Sequence, residues 1–150
     1  MEQKRKVVPP VYLLLTLLLM AALHWAFPIA RIIQPPLTYL GIAVIALGLA
    51  IGGNAFRGFV RAGTPVVPFE RSTTLVTGGS YRFTRNPMYL GMVLMLLGAA
   101  VLFGTVGPFL PIPLFIWVIQ ARFILGEERF LEELFGEEFL AYKRRVRRWF

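Results

Sequence analysis

The residues best suited to chemistry lie in the stretch 79–91, where a long apolar run begins. Its charged and aromatic members are Tyr81, Arg82, Arg85 and Tyr89. Asn86 is predicted to be a helix N-cap, with Pro87 as the first helical residue. Because free N–H groups at a helix N-terminus favour anions, this cationic stretch predicts an anion-binding site at the membrane surface.

Two carboxylates, Glu127 and Glu128, directly follow a later apolar run. A carboxylate beside apolar side chains needs a partner. An ion pair with Arg82, Arg85 or Arg122 would satisfy it structurally. A bound cation, amine or ribose hydroxyl would satisfy it functionally, and spacing alone favours the ion pair.

Four apolar stretches approach the roughly 20 residues that a membrane-spanning helix needs. They are residues 11–29, 37–56, 87–103 and 109–125. The third and fourth share a short uncharged connection, which predicts a helical hairpin. The segment 126–142 concentrates apolar residues on one face, with Gly136 as a candidate break, so it predicts a cytoplasmic amphipathic helix on the membrane surface.

The basic residues lie next to these apolar runs. They precede the first run, separate the second from the third, and follow the fourth: Lys4, Arg5, Lys6, Arg57, Arg61, Arg71, Arg82, Arg85, Lys143, Arg144, Arg145, Arg147 and Arg148. The positive-inside rule therefore places the N-terminus, the middle loop and the C-terminus in the cytoplasm, which requires an even number of spans. The net charge of +8 is thus interpreted as juxtamembrane charge, and no nucleic-acid partner is predicted.

Composition supports an all-α integral membrane protein with a single membrane-embedded domain. Hydrophobic residues make up 57% of the chain, which is too apolar for an ordinary soluble domain. Cysteine and aspartate are absent and His24 is the one histidine, so no metal site is predicted and His24 is expected to pack between helices. The predicted parts are residues 1–56 (two spans), 57–86 (cytoplasmic loop), 87–125 (hairpin) and 126–150 (C-terminal helix and basic tail).

Two motifs carry a resemblance to a known family. Residues 79–91 read G-x-Y-x-x-x-R-N-P-x-Y-x-G, which resembles the signature of the isoprenylcysteine carboxyl methyltransferase and phospholipid methyltransferase families. The C-terminal block of the same families is similar to Glu127, Glu128, Leu131, Phe135, Gly136, Phe139, Tyr142 and Val146. The resemblance covers roughly residues 55–148, and Asn86 stands where prenylcysteine enzymes usually have histidine.

The resemblance implies an integral membrane methyltransferase that uses S-adenosylmethionine and receives a lipophilic acceptor from the bilayer. In this family the cofactor lies in a cytoplasmic pocket between the start of the third span, the loop before it and the terminal helix. The implied cofactor-binding residues are Tyr81, Arg82, Asn86, Pro87, Tyr89, Glu127 and Glu128. The implied catalytic residues are Arg85, Asn86 and Glu128.

Several points stay open at the level of sequence. The acceptor is a phospholipid amine, an isoprenoid or prenylcysteine-type carboxylate, or a small apolar thiol. Arg85 is expected to bind either the carboxylate of the cofactor or an acidic group on the acceptor. We expect Glu128→Gln to weaken cofactor binding without unfolding the protein. A small four-span transporter or a membrane scaffold subunit is the alternative, which the absence of mid-span ionisable residues disfavours.

Overall fold

The computed structural model describes residues 8–66 and 73–150, and its regular structure over these residues is helical. The helices are α1 Pro9–Ala26, α2 Leu40–Ala62, α3 Pro87–Phe103, α4 Pro111–Ile119, α5 Leu125–Phe135 and α6 Glu137–Arg145. The predicted all-α fold is therefore confirmed for the described residues. Lys4–Lys6 and Arg71, which contribute to the predicted topology, lie outside them.

Three helical segments are long and apolar enough to cross a membrane: Pro9–Ala26, Leu37–Ala62 and Gly107–Phe135. The helix α3 is apolar but has 17 residues, the lower limit for a spanning helix. Many large apolar side chains on α1 and α2 are exposed, including Leu14, Leu18, Leu47 and Leu49. Such a surface fits contact with lipid, and the count of four spans stays a prediction that depends on α3.

The end of α2 differs from the predicted boundary at residue 56. The helix continues to Ala62 and ends at Gly63, which adopts a left-handed conformation with φ 62°. Arg57 and Arg61 therefore lie on its last turns rather than in the loop. The physical reason is that arginine is a good helix former, and no helix-breaking proline precedes Gly63.

The sequence predicts that span four ends at residue 125 and that a separate surface helix begins at residue 126. The structure differs at this point. The helix α4 continues through one wide π turn, Gln120–Ile124, directly into α5. The chain does break at Gly136, the predicted candidate, where φ is 52°. Span four and the acidic segment are thus one long helix, which carries the glutamates on a rigid extension of the membrane segment.

The closest helix packing is between α2 and α3, which run antiparallel. Gly41 faces Gly98, and Gly48 faces Gly91, so a Cβ added at Gly48 would lie 2.6 Å from the Gly91 carbonyl oxygen. Glycine at these positions lets the two backbones approach each other closely, as is common between helices in lipid. The contact fixes the first turns of α3 against the middle of α2.

The apolar core lies between α1, α3 and the long C-terminal helix, and includes Met20, Leu96 and Ile119. A smaller cluster joins the end of α2 to α6 through Ala55, Tyr81, Phe139 and Tyr142. At the opposite end of the bundle, His24 Nδ1 lies 2.8 Å from Thr105 Oγ1. His24 thus has the helix-packing position that its place in the sequence predicts.

Candidate functional site

The start of α3 is held in place by the chain segment that follows α6. Asn86 occupies the N-cap position and Pro87 is the first helical residue, as predicted. The side chain of Asn86 does not cap the helix, however, but donates from Nδ2 to the Arg148 carbonyl oxygen at 2.9 Å. Thr84 Oγ1 accepts a hydrogen bond from the Asn86 backbone N–H at 3.1 Å. The Thr84 side chain therefore stabilises the turn that precedes α3.

Glu127 and Tyr89 meet across the interface between α5 and α3. The Tyr89 hydroxyl donates to Glu127 Oε1 at 2.6 Å. A short hydrogen bond from a phenol satisfies one carboxylate oxygen in this largely apolar surrounding. The salt bridges among the described residues give Glu127 no arginine or lysine partner.

Glu128 lies between two arginines. Arg85 Nη2 is 3.0 Å from Glu128 Oε1, and the Arg85 and Glu128 side chains are only 8% and 9% exposed. Arg148 donates from Nε to Oε1 at 2.9 Å and from Nη2 to Oε2 at 2.8 Å. Of the three arginines considered from the sequence as ion-pair partners, Arg85 pairs with Glu128. Arg148, which was not among them, is the second partner of Glu128.

One donor of Arg85 lacks an acceptor among the residues that the structure describes. This donor is Nε, which is buried. A buried N–H without an acceptor costs free energy, so this atom is suited to a ligand that brings an acceptor.

A cavity of about 290 Å³ lies where the start of α3, the end of α2, α5 and α6 meet. Its polar wall contains six of the residues singled out from the sequence: Tyr81, Arg85, Asn86, Tyr89, Glu127 and Glu128. Much of the remaining wall is apolar and includes Phe59, Leu75, Val76, Met88, Met92 and Leu131. A mostly apolar concave site with a few convergent polar groups is the usual form of a small-molecule pocket, whose volume is about 300–1,000 Å³.

Two predicted site residues are not in the described wall of this cavity. Arg82 is exposed and lines a separate depression, together with Asn54 and Ser80. Pro87 is buried within the first turn of α3. The structure therefore does not place Arg82 or Pro87 among the described residues that line the cavity.

Two buried tyrosines support the cavity from the side of α6. The Tyr142 hydroxyl donates to the Tyr81 carbonyl oxygen at 2.7 Å. Burial raises the pKa of both phenols above the ordinary value of about 10, so both stay neutral.

Sequence reasoning gave no site role to Tyr142 or Arg148. The block resembling the family contained Tyr142, but a basic segment beside a membrane gave no signal for Arg148.

Comparisons with known proteins identify the family of this chain. The family model described as phospholipid methyltransferase matches residues 37–138. The chain is 29% identical over 116 residues to a protein of Oryza sativa subsp. indica named probable protein-S-isoprenylcysteine O-methyltransferase, covering 73% of this chain and 58% of that protein. It is 33% identical over 72 residues to the protein-S-isoprenylcysteine O-methyltransferase of Schizosaccharomyces pombe, covering 48% of this chain and 30% of that protein.

A third relative is an uncharacterized protein of Haemophilus influenzae, 42% identical over 62 residues, which are 41% of this chain and 98% of that protein. The chain spans less than two thirds of the length of the rice relative. No solved structure matches the chain.

Proposed function

The chain belongs to the phospholipid methyltransferase family, and we propose that it transfers a methyl group from S-adenosylmethionine to a lipophilic acceptor that arrives from the bilayer. The observation that carries this proposal is the cavity between α3 and α5, which combines apolar walls with the charged side chains of Arg85 and Glu127. It lies at the end of the apolar helices, where a molecule with both polar and lipophilic parts can bind.

The charged part of the cavity fits the amino acid portion of the methyl donor. Arg85 lines the cavity, and guanidinium groups bind carboxylates strongly. The carboxylate of Glu127 lines the same cavity and suits an ammonium group. Opposite charges in one cavity match the α-carboxylate and α-amino groups of an amino acid.

The chain's residues would bind and orient the reactants rather than perform acid–base chemistry. When bound, S-adenosylmethionine supplies an electrophilic methyl group on a sulfonium. In-line displacement needs alignment above all, which bound geometry provides. The rings of Tyr81 and Tyr89 line the cavity and can attract a cation. The apolar walls exclude water, which strengthens the interactions of Arg85 and Glu127 with charged groups.

The acceptor follows from the same chemistry. We propose a long apolar molecule with a terminal nucleophile, either a phospholipid amine or an isoprenoid or prenylcysteine-type carboxylate. The family description supports the former, and the names of the rice and fission yeast relatives support the latter. Membership of this family favours an enzyme over a small transporter or a scaffold subunit.

The proposal also places the cavity on the cytoplasmic side. The same cavity is bordered by four parts of the chain: residues 8–10 at the start of α1, the end of α2, the start of α3, and α6. These parts therefore lie at one end of the bundle. Most of the basic residues occur in these parts of the sequence, and the positive-inside rule assigns that end to the cytoplasm.

The test is incubation of the purified protein with methyl-labelled S-adenosylmethionine and a total membrane lipid extract. We expect label in a lipid fraction, and mass spectrometry of that fraction distinguishes an amine acceptor from a carboxylate acceptor. Absence of label in every lipid, combined with cation transport by reconstituted vesicles, would instead support the transporter.

A further inference from the structure

The segment that follows α6, residues 146–150 (the tail segment), runs back to the start of α3. The Arg85 backbone N–H donates to the Arg147 carbonyl oxygen at 2.9 Å. The Arg148 carbonyl oxygen accepts from Asn86 Nδ2 at 2.9 Å and from Thr84 Oγ1 at 3.1 Å. The backbone of two tail residues thus holds three consecutive residues at the start of α3.

The tail segment also binds the opposite wall of the cavity. The Arg148 guanidinium forms a bidentate pair with Glu128 on α5, and Trp149 Nε1 donates to Gln120 Oε1 at 2.9 Å. A bidentate arginine–carboxylate pair fixes the orientation of the carboxylate as well as its charge. The tail segment therefore connects the two elements between which the cavity lies.

We propose that the tail segment is part of the methyl-donor site, with Arg148 as the positioning residue that sets the orientation of Glu128. This inference rests on the proposed function. Because Arg148 binds both oxygens of Glu128, the carboxylate contacts Arg85 only at Nη2 and is not free to form a bidentate pair with the Arg85 guanidinium, which lines the cavity. Without Arg148, Glu128 can turn toward Arg85 and compete with a ligand for its guanidinium. The tail segment lies outside the residues 37–138 that match the family.

The test measures the affinity of the full chain for S-adenosylmethionine by calorimetry in detergent. We expect Arg148→Gln to weaken binding about tenfold, since it removes a charge-assisted pair that orients the site. Arg148→Lys keeps the positive charge but cannot form the bidentate pair with Glu128. It should bind S-adenosylmethionine with intermediate affinity. Arg144→Gln is the matched control, because Arg144 pairs with Glu137 at 3.9 Å and the two side chains are 68% and 86% exposed. It should bind as the wild type does.

Steady-state kinetics and thermal unfolding separate positioning from a purely structural effect. A positioning role raises the KM for the donor in Arg148→Gln and leaves kcat at saturating donor nearly unchanged. A folded Arg148→Gln with wild-type affinity overturns the inference, as does an equal loss in Arg144→Gln. If Arg148→Gln does not fold, wild-type affinity in Arg148→Lys overturns it. Wild-type protein that binds no donor refutes the proposed function itself, which is a different result.

Discussion

At the scale of single residues, the two arginine partners of Glu128 determine what this carboxylate contributes to stability and binding. It carries one negative charge between two guanidinium groups, and the Arg85–Glu128 pair is nearly buried. Removing one member of a buried pair leaves the remaining charges uncompensated. Glu128→Gln should therefore cost about 2 kcal/mol of stability, in addition to the weaker donor binding that the sequence leads us to expect. Thermal unfolding and donor titration of the same variant separate the two effects.

Arg85 provides a prediction about recognition. If its guanidinium binds the donor carboxylate, Arg85→Gln should weaken binding of S-adenosylmethionine about tenfold. The same substitution should hardly change the affinity for an analogue that lacks the carboxylate. Glu128 keeps Arg148 as its partner in this variant, which supports folding.

The matched control for Arg85→Gln is Arg129→Gln, at an exposed arginine on α5. This control should bind both ligands as the wild type does. Equal loss of the two ligands in Arg85→Gln would show that Arg85 does not contact the donor carboxylate, whereas unchanged binding of both would favour its contact with the acceptor. Calorimetric titration in detergent measures all four combinations.

Tyr142 provides a prediction about pH. Burial raises the pKa of its phenol, so above about pH 10 the unfolded chain loses this proton while the folded chain keeps it. The stabilisation that this raised pKa gives the folded chain is thus complete below pH 10. Above pH 10 it falls, lowering the free energy of unfolding by about 1.4 kcal/mol per pH unit. Tyr142→Phe should cost about 1 kcal/mol at pH 7 and unfold with a shallower loss of stability between pH 10 and 11. Parallel stability curves for variant and wild type would contradict this cause.

Much of the site could be predicted at this scale because residue types and order carry it. The Arg85–Glu128 pair was among the pairings that spacing allowed. Arg148 could not be found this way, because its role depends on the chain turning back after α6. A basic residue near a membrane is also typical of a surface contact with lipid.

At the scale of elements, the packing of α2 against α3 positions the site, and two glycines on α2 test it. A Cβ at Gly48 would meet the Gly91 carbonyl oxygen and the Leu94 side chain, whereas a Cβ at Gly52 meets nothing within 4 Å. We predict that Gly48→Ala lowers stability by about 1–3 kcal/mol because backbone must move. Gly52→Ala should be neutral or slightly stabilising, since alanine favours helix.

Thermal unfolding in detergent compares the two alanine variants directly. Donor affinity should also fall in Gly48→Ala, because Gly91 is on the first turns of α3 beside the cavity residue Met92. Equal behaviour of the two variants would mean that the α2–α3 contact does not determine stability.

The helices themselves were largely predictable, but their ends were not. Apolar runs of spanning length locate α1, α2, α3 and α4. The π turn Gln120–Ile124 could not be foreseen, since it depends on packing rather than on any breaker residue. A π turn adds about one residue, which turns the side chains beyond it by about 100° relative to an uninterrupted α-helix. The direction of Glu127 and Glu128 relative to span four was therefore beyond sequence reasoning.

At the scale of the whole molecule, the cavity's end of the bundle is predicted to face the cytoplasm. The chain has no cysteine, so single cysteines report on sidedness without a background. Glu138→Cys is exposed at the cavity end, and Gln34→Cys is exposed in the connection between α1 and α2 at the other end. In intact cells an impermeant maleimide should label position 34 and reach position 138 only after permeabilisation. The reverse pattern would contradict the predicted orientation.

Photo-cross-linking tests whether α3 and α5 hold the methyl donor between them. The purified protein is irradiated with an azido derivative of S-adenosylmethionine, with excess unlabelled donor as a control, and labelled peptides are mapped by mass spectrometry. We expect label that the unlabelled donor competes away in residues 81–92 and in residues 127–142. Competable label confined to the Asn54–Arg82 depression, or to the His24 end of the bundle, would contradict it.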